Sequence, residues 1–183
     1  MALRLAWGAP FTEDDLATTP DDGHRYELID GVMIVTPAPN TRHQTCVVSL
    51  TALLVASAPR PSEFQVLVAP FDVRLSRFTV VEPDVLVARK TDLTEARLEG
   101  PPLLAVEVQS ASTRRIDLGM KRSTYEDAGV PAYWLVNPDV PSLTALRLRD
   151  WRYVDEVTVT GYETYEADYP FTVTVVPTAL LEG

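Results

Sequence analysis

Residues 82–88 read Glu-Pro-Asp-Val-Leu-Val-Ala and residues 103–109 read Leu-Leu-Ala-Val-Glu-Val-Gln. Each holds a short apolar run of the length and composition expected of a strand covered on both faces. Each also carries a misplaced charge, Asp84 at the start of the first run and Glu107 inside the second. A lone carboxylate in apolar surroundings is costly unless it is paired, protonated or bound to metal. The separation of 23 residues suits two adjacent strands joined by a loop over 89–102.

The pattern extends outward from these runs. Thr12 with Asp15 marks a helix start and Pro20 stops that short helix. Strands are expected over 25–30 and 32–36, turning at Asp30-Gly31. Val47, Leu50, Leu53 and Leu54 recur at helical spacing within 41–58, and Pro59 closes that helix. Residues 64–69 and 71–75 read as strands, the second by alternation. Beyond Glu107, a helix is expected over 115–128, with Gly129 placed to end it. A buried strand at 132–136 follows, then alternating strands at 143–148, 151–157 and 171–176. The expectation is an α/β fold, a mixed β-sheet core over about 25–137 flanked by helices, with additional antiparallel strands over about 143–176. No repeat, low-complexity run or Gly/Ser linker divides residues 1–183, so one domain is expected.

Composition narrows the function classes. No apolar run reaches the ~18 residues of a membrane span, and the first residues lack the order of a signal peptide. Cys46 is the one cysteine, which excludes an internal disulfide and a Cys-rich zinc cluster; a cytoplasmic setting is expected. The net charge of −10 argues against a general nucleic-acid coat protein. That charge is uneven. Residues 12–30 and 150–169 are strongly acidic, while 109–123 holds Arg114, Arg115, Lys121 and Arg122 against Asp117 alone.

Glu27, in Tyr26-Glu27-Leu28-Ile29, is a third carboxylate within strand-like text. Two or three convergent carboxylates suit a hard divalent cation such as Mg²⁺, with water filling the remaining positions. The same pair also suits the acid and base of a glycosidase, although no exposed aromatic platform accompanies it. Lys121 is one of two lysines. A helix returning along its strand brings its amine towards the carboxylates; alternatively it is a surface lysine paired with Asp117 at i, i+4. His43 opens the 41–58 helix, either packing there or contacting phosphate. Tyr125 and Trp134 read as packing residues.

Taken in order, these residues resemble the PD-(D/E)XK nuclease signature, and more closely the Uma-type restriction endonuclease family. The resemblance is carried by Arg25-Tyr26-Glu27-Leu28-Ile29-Asp30-Gly31, by Thr36-Pro37-Ala38-Pro39 leading to His43, and by Glu82-Pro83-Asp84-Val85. It continues through Val106-Glu107-Val108-Gln109-Ser110, Ser112-Thr113-Arg114-Arg115-Ile116-Asp117, Lys121, Tyr125 and Gly129-Val130-Pro131 to Tyr133-Trp134-Leu135-Val136. It implies a restriction-endonuclease-like core with metal-bound carboxylates, for which DNA is the expected partner and Mg²⁺, or Mn²⁺ in its place, the expected metal; a homodimer is expected because a two-fold enzyme suits two-stranded DNA. Asp84 and Glu107 match the metal ligands, Glu27 the acidic residue of the first motif, and Lys121 a catalytic lysine moved from strand to helix. Gln109 stands where the motif lysine is usually found, with its backbone carbonyl as a further metal ligand. Arg114, Arg115 and His43 are the expected DNA contacts. The alternative is a DNA-binding or oligomeric interaction protein that keeps the fold without catalysis.

Overall fold

The computed structural model describes residues 2–3, 9–110 and 116–182. In chain order the strands are β1 (Ala2–Leu3), β2 (Arg25–Ile29), β3 (Val32–Thr36), β4 (Phe64–Val68), β5 (Val73–Ser76), β6 (Thr79–Val81) and β7 (Val85–Arg89). They continue with β8 (Leu98–Glu99), β9 (Leu104–Val108), β10 (Ala132–Asn137), β11 (Ser142–Arg149), β12 (Arg152–Thr160), β13 (Tyr165–Ala167) and β14 (Val173–Val175). The α-helices are α1 (Glu13–Leu16), α2 (Thr41–Ser57) and α3 (Arg122–Asp127).

The central sheet runs β12-β11-β10-β9-β7-β4. Its one parallel step is β9 to β10, bridged by the helix that carries Lys121; the other neighbours are antiparallel. A second sheet, β1-β3-β2-β6-β5-β8, packs on one face, and β13 pairs with β14. One core cluster joins Cys46, Val47, Leu50 and Leu54 of α2 to Val85, Val87, Val106 and Trp134. Across the sheet, Leu86, Ala105, Tyr125 and Tyr133 pack with Ile29, Ile34, Val73, Val81 and Leu98 of the second sheet. The inner strands β7, β9 and β10 are therefore apolar on both sides, which is why their sequences lack alternation. No helix among the described residues is long and apolar enough to cross a membrane.

The expected mixed α/β fold with added antiparallel strands is present, and the differences are local. The strand expected over 71–75 pairs only from Val73, whose partners are Val81 and Leu98. Sequence reading placed no strand at β6, β8 or β13, because two or three residues carry too little periodicity to be read. The helix expected over 115–128 is a π-helical turn at Ile116–Lys121 that runs into α3.

The β2–β3 hairpin turns as read, through Asp30 and Gly31 at φ 49° and 74°, the left-handed pair of a tight two-residue turn. A Cβ on Gly31 would stand 2.4 Å from Pro10 Cβ. Gly31→Ala should therefore lower stability by about 1–3 kcal/mol, measured as a reduced urea midpoint with unchanged slope.

Candidate functional site

Pairing of β7 with β9 sets Val85 opposite Val106, so Asp84 comes level with Glu107. Alternation along β9 turns Glu107 to the side of Ala105, away from α2, while Asp84, just before β7, stays within reach of α2. Glu107 and Glu27 are each 1% exposed and Lys121 is 2% exposed. The Lys121 ammonium lies 2.9 Å from both Glu27 Oε1 and Glu107 Oε1. Tyr125, one helical turn on from Lys121, donates its hydroxyl to the same Glu107 Oε1 at 2.7 Å. Lys121 is thus a buried partner of two carboxylates, and the reading as a surface lysine paired with Asp117 fails.

Asp84 is held separately. Its Oδ1 accepts from Arg25 Nη1 at 2.8 Å. Its Oδ2 accepts from the Val108 N–H at 2.8 Å and lies 3.1 Å from His43 Nε2. His43 reaches it from the first turn of α2, where the Asn40 side chain caps the His43 N–H. Arg25 and Glu27 share a face of β2, and Arg25 Nε is 3.9 Å from Glu27 Oε2.

Charge at this centre is unbalanced. Among the described residues, Glu27, Glu82, Asp84 and Glu107 face two permanent cations, Arg25 and Lys121. Burial pushes the Glu107 carboxyl well up, helped by Asp84 and Glu27. Burial and the Glu27 charge raise Glu82 to about 7. For Asp84, burial is outweighed by the His43 hydrogen bond and the Arg25 charge, which hold it below the usual carboxylate range. Burial also disfavours the Lys121 ammonium, yet Glu107 and Glu27 together raise its pKa above the ordinary value. Glu82 Oε2 is buried without a hydrogen-bond partner among the described residues, while the Glu82 N–H donates to Glu27 Oε1.

The donors are hard oxygens and the site is short of positive charge, so its residues fit a divalent cation. Asp84 and Glu107 are the carboxylates that would hold it. Among the described residues, no three His, Cys, Asp or Glu side chains already enclose such an ion. A cation therefore has to share Asp84 with Arg25 and His43.

A cavity of about 1110 Å³ opens onto Arg25, His43, Glu82 and Asp84. Glu27, Glu107 and Lys121 lie behind its wall. Gln109 lines a separate pocket of about 230 Å³ with Leu118, Arg122 and Asn137, and is not among the contacts of Asp84 or Glu107. Arg114 and Arg115 lie outside the described residues.

The family model described as "Uma2: Putative restriction endonuclease" matches residues 13–175. The chain belongs to the Uma2 family. A solved structure titled as a "putative nuclease belonging to DUF820", from Anabaena variabilis ATCC 29413, superposes with a TM-score of 0.74 at 15% identity. The superposition covers 94% of this chain and 98% of that one, and shows that the Uma2 chain shares its fold. No curated protein matches it.

Three members of the Uma2 site escaped sequence reading. Arg25 was legible in principle, since two residues before Glu27 on a strand is the same face. Glu82 stands in the same relation to Asp84, but Pro83 hides the alternation. Tyr125 was read as packing; its hydroxyl contact with Glu107 depends on helix placement.

Removing the shared ammonium should leave two buried carboxylates uncompensated. Lys121→Met is expected to cost about 3–5 kcal/mol in urea unfolding, and adding Glu107→Gln should restore part of that loss. Simple additivity in this double-mutant cycle would show that the ion pairs are not energetically coupled.

Proposed function

We propose that this Uma2 protein is a metal-dependent DNA endonuclease that hydrolyses phosphodiester bonds, using Mg²⁺ or Mn²⁺. One observation carries the reading: a buried carboxylate group short of positive charge ends at Asp84, on the wall of an open cavity. Asp84 and Glu107 are the metal ligands, with the Gln109 carbonyl as a further oxygen donor. When bound, a divalent cation supplies charge at the phosphodiester oxygens and acidifies the attacking water.

The chain's own residues divide the remaining work. Lys121 acts as a fixed positive charge. A lysine base needs a pKa near ~7–8, and two carboxylates raise this one instead. Glu27 holds the ammonium in place, and Tyr125 orients Glu107. Arg25 and His43 face the cavity, where they contact the phosphate once Asp84 is engaged elsewhere. Arg114 and Arg115 grip flanking phosphates. The enzyme works in the cytoplasm as a single domain, and as a homodimer it would match the two strands of DNA.

Asp84→Asn and Glu107→Gln should each reduce Mg²⁺- or Mn²⁺-dependent cleavage of supercoiled and single-stranded DNA by at least about 100-fold. Cleavage that survives both substitutions overturns this assignment. Because Arg25 competes for Asp84, Arg25→Met should take up Mn²⁺ more tightly than wild type in calorimetry without DNA, whereas Asp84→Asn should take up less.

A further inference from the structure

The cavity is larger than the charged group requires, and much of its wall is apolar. Its volume of about 1110 Å³ lies above the ~300–1,000 Å³ usual for small-ligand sites. Along one side α2 presents Val48, Ala52 and Val55, spaced at i, i+4 and i+7. Val68 and the run Pro37, Ala38 and Pro39 add to that wall. Val48, Val55 and Val68 are 65%, 45% and 38% exposed. The opposite face of α2 already supplies the core through Cys46, Leu50 and Leu54, each fully buried. This helix therefore has a second apolar face that the fold does not use, and it leads to Asp84.

The charged residues in the lining limit what can occupy this space. Among the described residues, the acids Glu13, Asp21, Asp72, Glu82 and Asp84 of the lining face the bases Arg25 and Arg97. A DNA duplex carries one negative charge per ~1.7 Å of its axis and conceals its base faces. A single strand has roughly half that charge density and exposes base faces, which stack on aromatic side chains with little regard to sequence. Tyr26 contributes an aromatic ring to the same lining.

We propose that this cavity takes an unpaired stretch of DNA, its bases against the Val48–Val55 wall and its backbone passing Asp84 and Arg25. The preferred substrate is then single-stranded or locally unpaired DNA, not an intact duplex. This inference rests on the nuclease reading and specifies its substrate.

The test is fluorescence anisotropy in Ca²⁺ buffer with a labelled oligothymidine and a blunt duplex of equal length, each checked intact on a gel. Wild type should bind the single strand about tenfold more tightly, and Val48→Asp with Val55→Asp should weaken that binding by about tenfold. The milder Val48→Ala with Val55→Ala should weaken it several-fold, and thermal melts identify any variant that has lost its fold. Equal or tighter duplex binding overturns the inference, as does wild-type affinity in the Asp variants. A wild-type dimer that these variants abolish, with DNA binding unchanged, assigns the wall to a second copy and also overturns it. If wild type binds neither DNA, the nuclease reading itself fails.

Discussion

The Lys121 ammonium ties together three elements that are distant in sequence. Glu27 arrives from β2 of the outer sheet, Glu107 from β9 of the central sheet, and Lys121 from the helix crossing between β9 and β10. Such an ion pair is a poor source of net stability, because burying the charges costs about as much as their attraction returns. It is a strong constraint on arrangement, since any shift that separates the partners leaves a charge stranded in the core. The two sheets therefore stay in one relative placement, and Asp84 inherits a defined position at the start of β7.

That position gives Asp84 a different character from its neighbours. Glu107 and Glu27 sit behind the cavity wall, whereas Asp84 borders the cavity and is steadied by Arg25, His43 and a β9 amide. The most responsive contacts at the centre are thus at its outer edge, and the permanent ones lie behind. A cation entering from the cavity would meet Asp84 first, in exchange with its guanidinium and imidazole partners.

The inner strands β7, β9 and β10 were legible because they are apolar on both faces, so a carboxylate beside or within them stands out against its surroundings. Asp84 and Glu107 could be read that way, and a helix after β9 was enough to bring Lys121 back towards them. The register of β7 against β9 was not readable, since both runs are apolar and neither has a periodicity to align. The alternative for Lys121, pairing with Asp117, could be rejected only when the helix began with a π-turn that buried both residues. Short strands such as β6 and β8 escaped because pairing, not composition, defines them. Gln109 was placed from motif position alone, and parity along β9 does not decide which pocket a side chain enters.

The net charge of −10 opposes dealings with DNA only if it is averaged over the surface. Four carboxylates at the candidate centre outnumber the two permanent cations, and burial answers by pushing Glu82 and Glu107 towards the protonated state. This excess of acid is expensive for a fold that never meets a cation, and it becomes an affinity when one is present, because metal binding relieves what the folded state otherwise bears. The excess of acid at this centre and its proposed use of a divalent ion are therefore two aspects of one electrostatic fact. Attraction for phosphate need not come from the bulk surface when it is generated at the point of contact.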